Sequence, residues 1–517
     1  MTAKDRTKPT PSHLARFFSA SLRDGLRLSA HVSFVFFSNP NMKIPSRISI
    51  ASLCLAVIAG HAFAANATAA AKGDEIVAAL PVIPDAKFNL ADFGGVGDGK
   101  AFNTDSFKSA IAAIKKAGGG HLIVAAGTYK TLPFTLTSHL DLHLEPGATI
   151  KAPSTFKDYG IPDPNDPLPE PAPGAAPAGG RGRGFGGPRV APLISGSNLT
   201  DVAITGDGTI DGSGAVFWAW SDKHARMYPP GRRIVARPHL IVLNGMQRLH
   251  IDGVTLTNSP MYHLVPTGSD MLIENVRVVA PSDAPNSDAI DPAGTRIVIR
   301  NCEIDTGDDN VAVHAGTKDV LIEDLTCLHG HGISVGSGTR GGLSHMIVRR
   351  CTFNGTDNGI RIKSYRGNGG EVHDIWYSDI TMKNVRRPFD INMLYHGNDP
   401  TEWGDVGPRE ALPGETTAIP NFHDIHITNL SVTRSPVAGR ILGVPEQMAR
   451  DITFTNVKIE STRGFLVQDG KNVVFENVQI TPKVGDAIVL DNGSVTWNGE
   501  AKSGTSGGSP IPFYNGN

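Results

Sequence analysis

From residue 196 onward the chain repeats one short pattern, an alternating strand built around an Asn, Asp or Gly, and this internal repeat constrains the fold more than any other feature. The pattern occurs as Ile251-Asp-Gly253-Val-Thr-Leu256, Ile273-Glu-Asn275-Val-Arg-Val278, Ile299-Arg-Asn301-Cys-Glu-Ile304, Ile322-Glu-Asp324-Leu-Thr-Cys327 and Val348-Arg-Arg350-Cys-Thr-Phe353. The segments Ile452 to Ile459 and Val474 to Ile480 continue it. Positions 253, 275, 301, 324 and 350 lie 22, 26, 23 and 26 residues apart, too short a period for a propeller blade and too rich in strand for a helical repeat. A second ruler, Ala293-Gly-Thr295, Ala315-Gly-Thr317 and Ser337-Gly-Thr339, recurs every 22 residues and suggests that two strands of each coil keep one register. Several short strands per turn, stacked in parallel roughly 4.8 Å apart, describe an all-β, single-stranded, right-handed parallel β-helix.

The repeat reduces the domain count that 517 residues would otherwise suggest, to one β-helical unit over 86–500 with a tail at 501–517. Composition agrees, since 58 Gly and 36 Pro favour turns and short strands over long helices. One helix is expected near the start: Asp105 to Lys116 carries Phe107, Ala110, Ile111 and Ile114 at amphipathic spacing and would cap the fold. Residues 161–190, rich in Pro, Gly and Arg, read as a loop insertion, with Arg181 and Arg183 taken as incidental surface charge. Upstream, Lys43 and Arg47 precede the apolar run Ile48 to Ala59, and Ala62-Phe63-Ala64 has the small-x-small form of a cleavage site. Residues 42–64 are therefore expected to be a signal peptide, 1–41 a misannotated upstream extension and 65–85 a linker. The chain would be exported, periplasmic or secreted, with no membrane association after cleavage. Cys302, Cys327 and Cys351 fall at core-facing positions of the alternating strands and read as buried thiols rather than a disulfide frame. A net charge of −2 gives no basic excess, so nucleic acid is not an expected partner.

The chemistry concentrates where the coils bring distant residues side by side. Measured from the second ruler, Asp288 lies seven residues before Thr295, Asp309 eight before Thr317 and His331 eight before Thr339, with Asp308 beside Asp309. These groups should form a column on one face. The following coil supplies Arg361 and Lys363, which alternation sends to the same side, away from Ile360 and Ile362. Stability offers no reason to collect three carboxylates, an imidazole and two cations. Crowded like charges raise the pKa of at least one carboxyl group, as a general acid requires, and the cations would attract an anionic ligand.

Asn286-Ser-Asp288, Gly307-Asp-Asp309, Gly330-His-Gly332 and Arg361-Ile-Lys363, in this order, resemble the four signature segments of the polygalacturonase family of glycoside hydrolases. Phe93 to Gly99, Ile204 to Gly212, Asn258-Ser-Pro260 and Pro388 to Tyr395 also look like family segments. The resemblance implies a pectin-lyase-like solenoid that hydrolyses α-1,4-galacturonosyl linkages of polygalacturonate or pectic oligosaccharides by single displacement with inversion. It implies Asp308 as general acid, Asp288 and Asp309 around the attacking water, His331 as keeper of the acid's protonation and orientation, Arg361 and Lys363 on a substrate carboxylate, and Asn286 and Tyr395 as sugar contacts. No cofactor or metal is implied, and a monomer is expected. Ser287, Ala289 and His314 depart from the commoner family residues; His314 stands where many relatives have Lys. Two rival readings follow from the same residues. In a Ca²⁺-dependent pectate lyase the aspartates would be ligands and a cation the base. A non-catalytic β-helical polysaccharide-binding protein would need no acid at all.

Overall fold

In a computed structural model, which describes residues 73–165, 190–221, 235–395, 409–411 and 417–505, successive coils stack through parallel pairing. Each central coil carries three strands. The first column runs through Ile241–Asp252, Leu264–Glu274, Ala293–Arg300, Thr317–Glu323 and Leu343–Arg349. The second runs through Thr255–Thr257, Arg277–Val279, Glu303–Asp305, Thr326–Cys327 and Thr352–Asn354. The third comprises Val311–Val313, Ile333–Val335, Asn358–Lys363 and Arg387–Asn392. Alternation sends one side chain in two inward, and Ile251, Ile273, Ile299, Ile322 and Val348 pair coil by coil in a fully buried stack. Each such side chain contributes about 1.5–3 kcal/mol relative to an exposed one.

The first ruler is the hydrogen-bonded register itself: its 22-, 26-, 23- and 26-residue steps are those of these pairs. Its polar landmarks have a backbone cause. Gly253, Asn275, Asn301, Asp324 and Arg350 all adopt left-handed φ, between 54° and 80°, and turn the chain between the first and second columns. Gly, Asn and Asp tolerate that conformation best. Arg350 is the strained member, and its guanidinium is tied down on Asp324 and Glu323 at 2.7–2.8 Å. The second ruler does not hold as a register. Thr295 pairs with Lys318 rather than Thr317, and Thr317 pairs with Leu343 rather than Thr339. The three segments occupy different places: Ala293-Gly-Thr295 opens one first-column strand, Thr317 opens the next, and Ser337-Gly-Thr339 lies in the loop before Leu343.

Helix Thr104–Ala117 buries Phe107, Ala110, Ile111 and Ile114 as the periodicity predicts, and Phe107 stacks on Phe134 with ring centroids 4.6 Å apart. Gly118, at φ 87°, ends it, with Gly119 N–H donating to the Ile114 carbonyl. At the other end the sheet continues past residue 500, because Glu500–Gly504 pairs antiparallel with Ile488–Trp497. Residues 73–85, within the expected linker, lie along the coils: Ile76 and Ala78 bury against Leu272, Val298, Leu321 and Ile347. Cys302, Cys327 and Cys351 are free, buried thiols. The expected signal segment and most of the 161–190 insertion, Arg181 and Arg183 included, lie outside the described residues. Among the described residues no helix is long and apolar enough to cross a membrane.

Candidate active site

The third column builds the site. Ile290 pairs with Val311, Val311 with Ile333 and Ile333 with Ile360, so Asp288, Asp309 and His331 each lie two residues before an in-register core residue. They stack on successive coils, with Asp308 next to Asp309. Arg361 and Lys363 leave the adjoining strand on the outer side, while Ile360 and Ile362 enter the core. The stack is buried beneath surrounding loops: Asp288, Asp308, Asp309, Arg361 and Lys363 are each 3–6% exposed. Tyr395 completes this wall, its ring centre 5.4 Å from the Arg361 guanidinium and 5.6 Å from Lys363 Nζ. Asn286 opens the turn into Asp288 at φ 50°, its carboxamide oxygen accepting from Arg237 at 2.7 Å.

The two adjacent aspartates have different surroundings. Asp309 accepts from Lys363 Nζ at 2.6 Å, Ser334 Oγ at 2.7 Å and Arg361 at 3.4 Å. Burial pushes its carboxyl group up, but the Lys363 and Arg361 cations outweigh burial and hold it below the usual carboxylate range. Asp308 faces His331 instead, with Oδ1 2.9 Å from Nδ1. Burial pulls that imidazole down, yet an ionised Asp308 together with Asp357 raises it to about 9, which favours the imidazolium at neutral pH while Asp308 carries its charge.

Several residues at the site carried no sequence signal. Asp291 heads the row that continues through Ala312, Ser334, Arg361, Asp390 and Arg440 on successive coils. Burial first, then Asp309 and Asp308, hold Asp291 well above the ordinary range, and His314 Nε2 lies 3.3 Å from its Oδ2. Asp390, fully buried behind Arg361, receives Arg440 at 2.7 and 3.0 Å and Arg387 at 3.1 Å. His263 fixes the backbone of Asp288. Its Nε2 accepts from Ser259 N–H, which leaves Nδ1–H facing the Asp288 carbonyl at 3.1 Å, and burial holds the ring neutral with a pKa of about 4. Tyr262 faces the acidic cluster too: burial, then Asp288 and Asp291, push its phenol well up. Ser334 and Asp390 lie in third-column strands and Asp291 just after the bridge residue Ile290; their partners come from other coils.

Asp308, Asp309 and His331 each bring one possible ligand atom to within 4.8 Å of the others. The set suits a divalent cation poorly, because Asp309 already neutralises an ammonium and a guanidinium and the imidazole is protonated. His250, Asp252 and Glu274 form a second such group, but Glu274 already binds Arg300 at 2.7 Å and His250 at 2.9 Å.

This geometry has counterparts in known proteins. Residues 186–473 match glycosyl hydrolases family 28. A probable polygalacturonase of Vitis vinifera is 33% identical over 390 residues, covering 72% of this chain and 74% of that relative. An endo-polygalacturonase of Pectobacterium carotovorum subsp. carotovorum is 30% identical over 313 residues, 57% of this chain and 72% of the relative. The crystal structure of a hyperthermoactive exopolygalacturonase from Thermotoga maritima superposes with a TM-score of 0.64 at 25% identity, covering 81% of this chain and 97% of that one. The family match spans more than half of the sequence and includes every coil that supplies the carboxylates, the imidazole and the two cations. The chain belongs to glycosyl hydrolases family 28.

Proposed function

We propose that this glycoside hydrolase cleaves α-1,4-galacturonosyl linkages of polygalacturonate by direct displacement with water. The observation that supports the division of labour is the asymmetry between adjacent aspartates: the permanent cations Lys363 and Arg361 hold Asp309 ionised, whereas Asp308 lies against His331, a titratable ring whose charge depends on the proton on Asp308. In this reading Asp308 protonates the leaving glycosidic oxygen as the anomeric C–O bond breaks. A water held between Asp288 and Asp309 forms the new bond, and one of these carboxylates takes its proton. The Asp308 carboxylate left behind meets the His331 N–H, and proton exchange with solvent restores the starting state. Lys363 has three donors and Arg361 five, so both can serve Asp309 and still receive a galacturonate carboxylate, beside Tyr395 and Asn286 as sugar contacts. One chain supplies all of these groups, in keeping with a monomer. The signal-like segment 42–64 supports export to where such a polymer occurs, in the periplasm or outside the cell.

The test is product chemistry. Incubation with polygalacturonate should release saturated reducing ends, with newly formed anomers of the opposite configuration when spectra are taken before mutarotation. Unsaturated, ultraviolet-absorbing ends that disappear with a chelator would replace hydrolysis by the Ca²⁺-dependent lyase reading. Binding without release would support the non-catalytic reading.

A further inference from the structure

His331 is flanked by carboxylates on two sides, and only one of them belongs to the signature segments. Its Nδ1 lies 2.9 Å from Asp308 Oδ1, and its Nε2 lies 3.5 Å from Oδ2 of Asp357. Asp357 comes from the turn that precedes strand Asn358–Lys363, one coil further on. The backbone fixes this turn against the His331 coil, since Asp357 N–H donates to the Gly330 carbonyl at 2.7 Å and Arg387 N–H donates to the Asp357 carbonyl at 2.8 Å.

We propose that Asp357 is a positioning residue that fixes the ring and the charge of His331 from the side opposite Asp308, making Asp308, His331 and Asp357 a carboxyl, imidazolium, carboxylate chain. The inference rests on the reading of Asp308 as the acid. A proton lost from Asp308 to the leaving oxygen creates a carboxylate in a buried place already crowded by Asp288 and Asp309. A ring that is already cationic stabilises that charge as it forms, and the ring keeps its own proton. A neutral ring would give only a weak hydrogen bond. Asp357 can sustain the cation because it is half-exposed and lies on the solvent side of the ring. The groups facing His331 are Asp308 and Asp309 on the preceding turn, Asp357, and Arg361, which opposes the ring's charge. Those facing Asp357 are His331, whose contact lowers its carboxyl pKa, and Arg386 and Arg387.

The test combines side-chain NMR with steady-state kinetics on the full chain. Ring resonances of ¹³C-labelled histidine are followed against pH in the wild type, in Asp357→Asn and in Asp357→Glu, with the His331 signal identified by its loss in His331→Gln. The wild-type ring should titrate above the ordinary histidine value, short of the value of about 9 that includes an ionised Asp308. In Asp357→Asn its titration should fall by at least about one pH unit, and kcat on polygalacturonate should fall about tenfold, the rate equivalent of one unit. KM should stay within about twofold, and Asp357→Glu should restore both readings. A purely structural role would move neither the titration nor its rescue. An unchanged His331 titration in a folded Asp357→Asn protein would overturn the proposal, and so would a shifted titration with unchanged kcat. A wild type that releases no reducing ends would instead refute the proposed hydrolysis, while the titration would still decide whether Asp357 sets the ring's charge.

Discussion

Two columns of stacked ionisable side chains run along this β-helix, and they bear their charge differently. At the corner entering the core stretch of the first strand column, Asp201, Arg248, Asp270, Arg296, Asp319, His345 and Asp374 occupy in-register, left-handed positions on successive coils. From Asp201 to Asp374 acidic and basic residues alternate, and Arg248 meets Asp201 at 2.5 Å, Arg296 meets Asp270 at 2.6 Å and His345 meets Asp319 at 2.7 Å. The same corner then repeats one sign through Asp374, Asp424 and Asp451, which are partly exposed and meet Trp376, His426 and Arg450. In the site column Asp288 stacks on Asp309 beside Asp308, with Asp291 buried nearby. Solenoid geometry puts equivalent positions about 4.8 Å apart in both places. Alternating sign supports the fold; repeated sign is tolerated where solvent and lateral partners relieve it, as at Asp424 and Asp451, but where it is buried, as in the site column, it costs stability and sets pKa values apart. Repeated sign together with burial therefore distinguishes the site column from the corner column.

The difference can be broken from the site side first. Asp309→Asn should lower kcat by about 10² to 10⁴, the usual range for a lost proton acceptor. It should also destabilise the protein by about 3–5 kcal/mol, because Lys363 and Arg361 keep their burial and lose their anion. Kinetics together with urea unfolding check both. Asp291→Asn should do the reverse for stability. The folded-state pKa of Asp291 is raised, so this group lowers stability as pH climbs above the unfolded carboxyl value near 3.9 and until the folded group ionises. The amide should match the wild type at pH 3 and exceed it at pH 7, by on the order of 1.4 kcal/mol for each unit of the shift, read as the difference in urea midpoints.

Changes in the corner column should move stability and leave kcat alone. Asp270→Ala strands Arg296 and the Ala79 N–H, and should cost about 1–3 kcal/mol in urea unfolding. Arg296 first, against burial, holds the Asp270 carboxyl below its usual range. Its contribution is thus present above the unfolded value near 3.9 and is lost as pH falls through the folded value, so the cost of the substitution should shrink in acid. The exposed pair Arg277 and Glu303, 2.9 Å apart, gives the smallest effect, with Arg277→Ala changing stability by less than about 1 kcal/mol.

The fold was legible in the sequence to the extent that the backbone dictates residue type. Left-handed corners favour Gly, Asn or Asp, and four of the five first-ruler landmarks are of these types, which made that ruler an accurate register. The second ruler failed because its Gly-Thr segments sit at different places, in strand at Ala293–Thr295 and in loop at Ser337–Thr339, and loops absorb insertions without breaking the pairing. Asp288, Asp308, Asp309, His331, Arg361 and Lys363 were readable because each lies near a core residue of one strand column. Asp291, Ser334, His263 and Asp390 were not, because their meaning lies in contacts between coils: a lone Asp three residues after Asp288 gives no sign of its burial beside Asp309. Asp357 escaped notice for the same reason, one position before an otherwise ordinary strand.

The central claim, that the like-charged column is catalytic and Asp308 is its acid, is tested most directly by Asp308→Asn. Reducing-end release from polygalacturonate and binding of galacturonate oligosaccharides should be measured on the same folded preparation. The account predicts turnover reduced by at least about 10² with binding within a few-fold of the wild type. Reducing ends released at near wild-type rate by the purified Asn variant would contradict it.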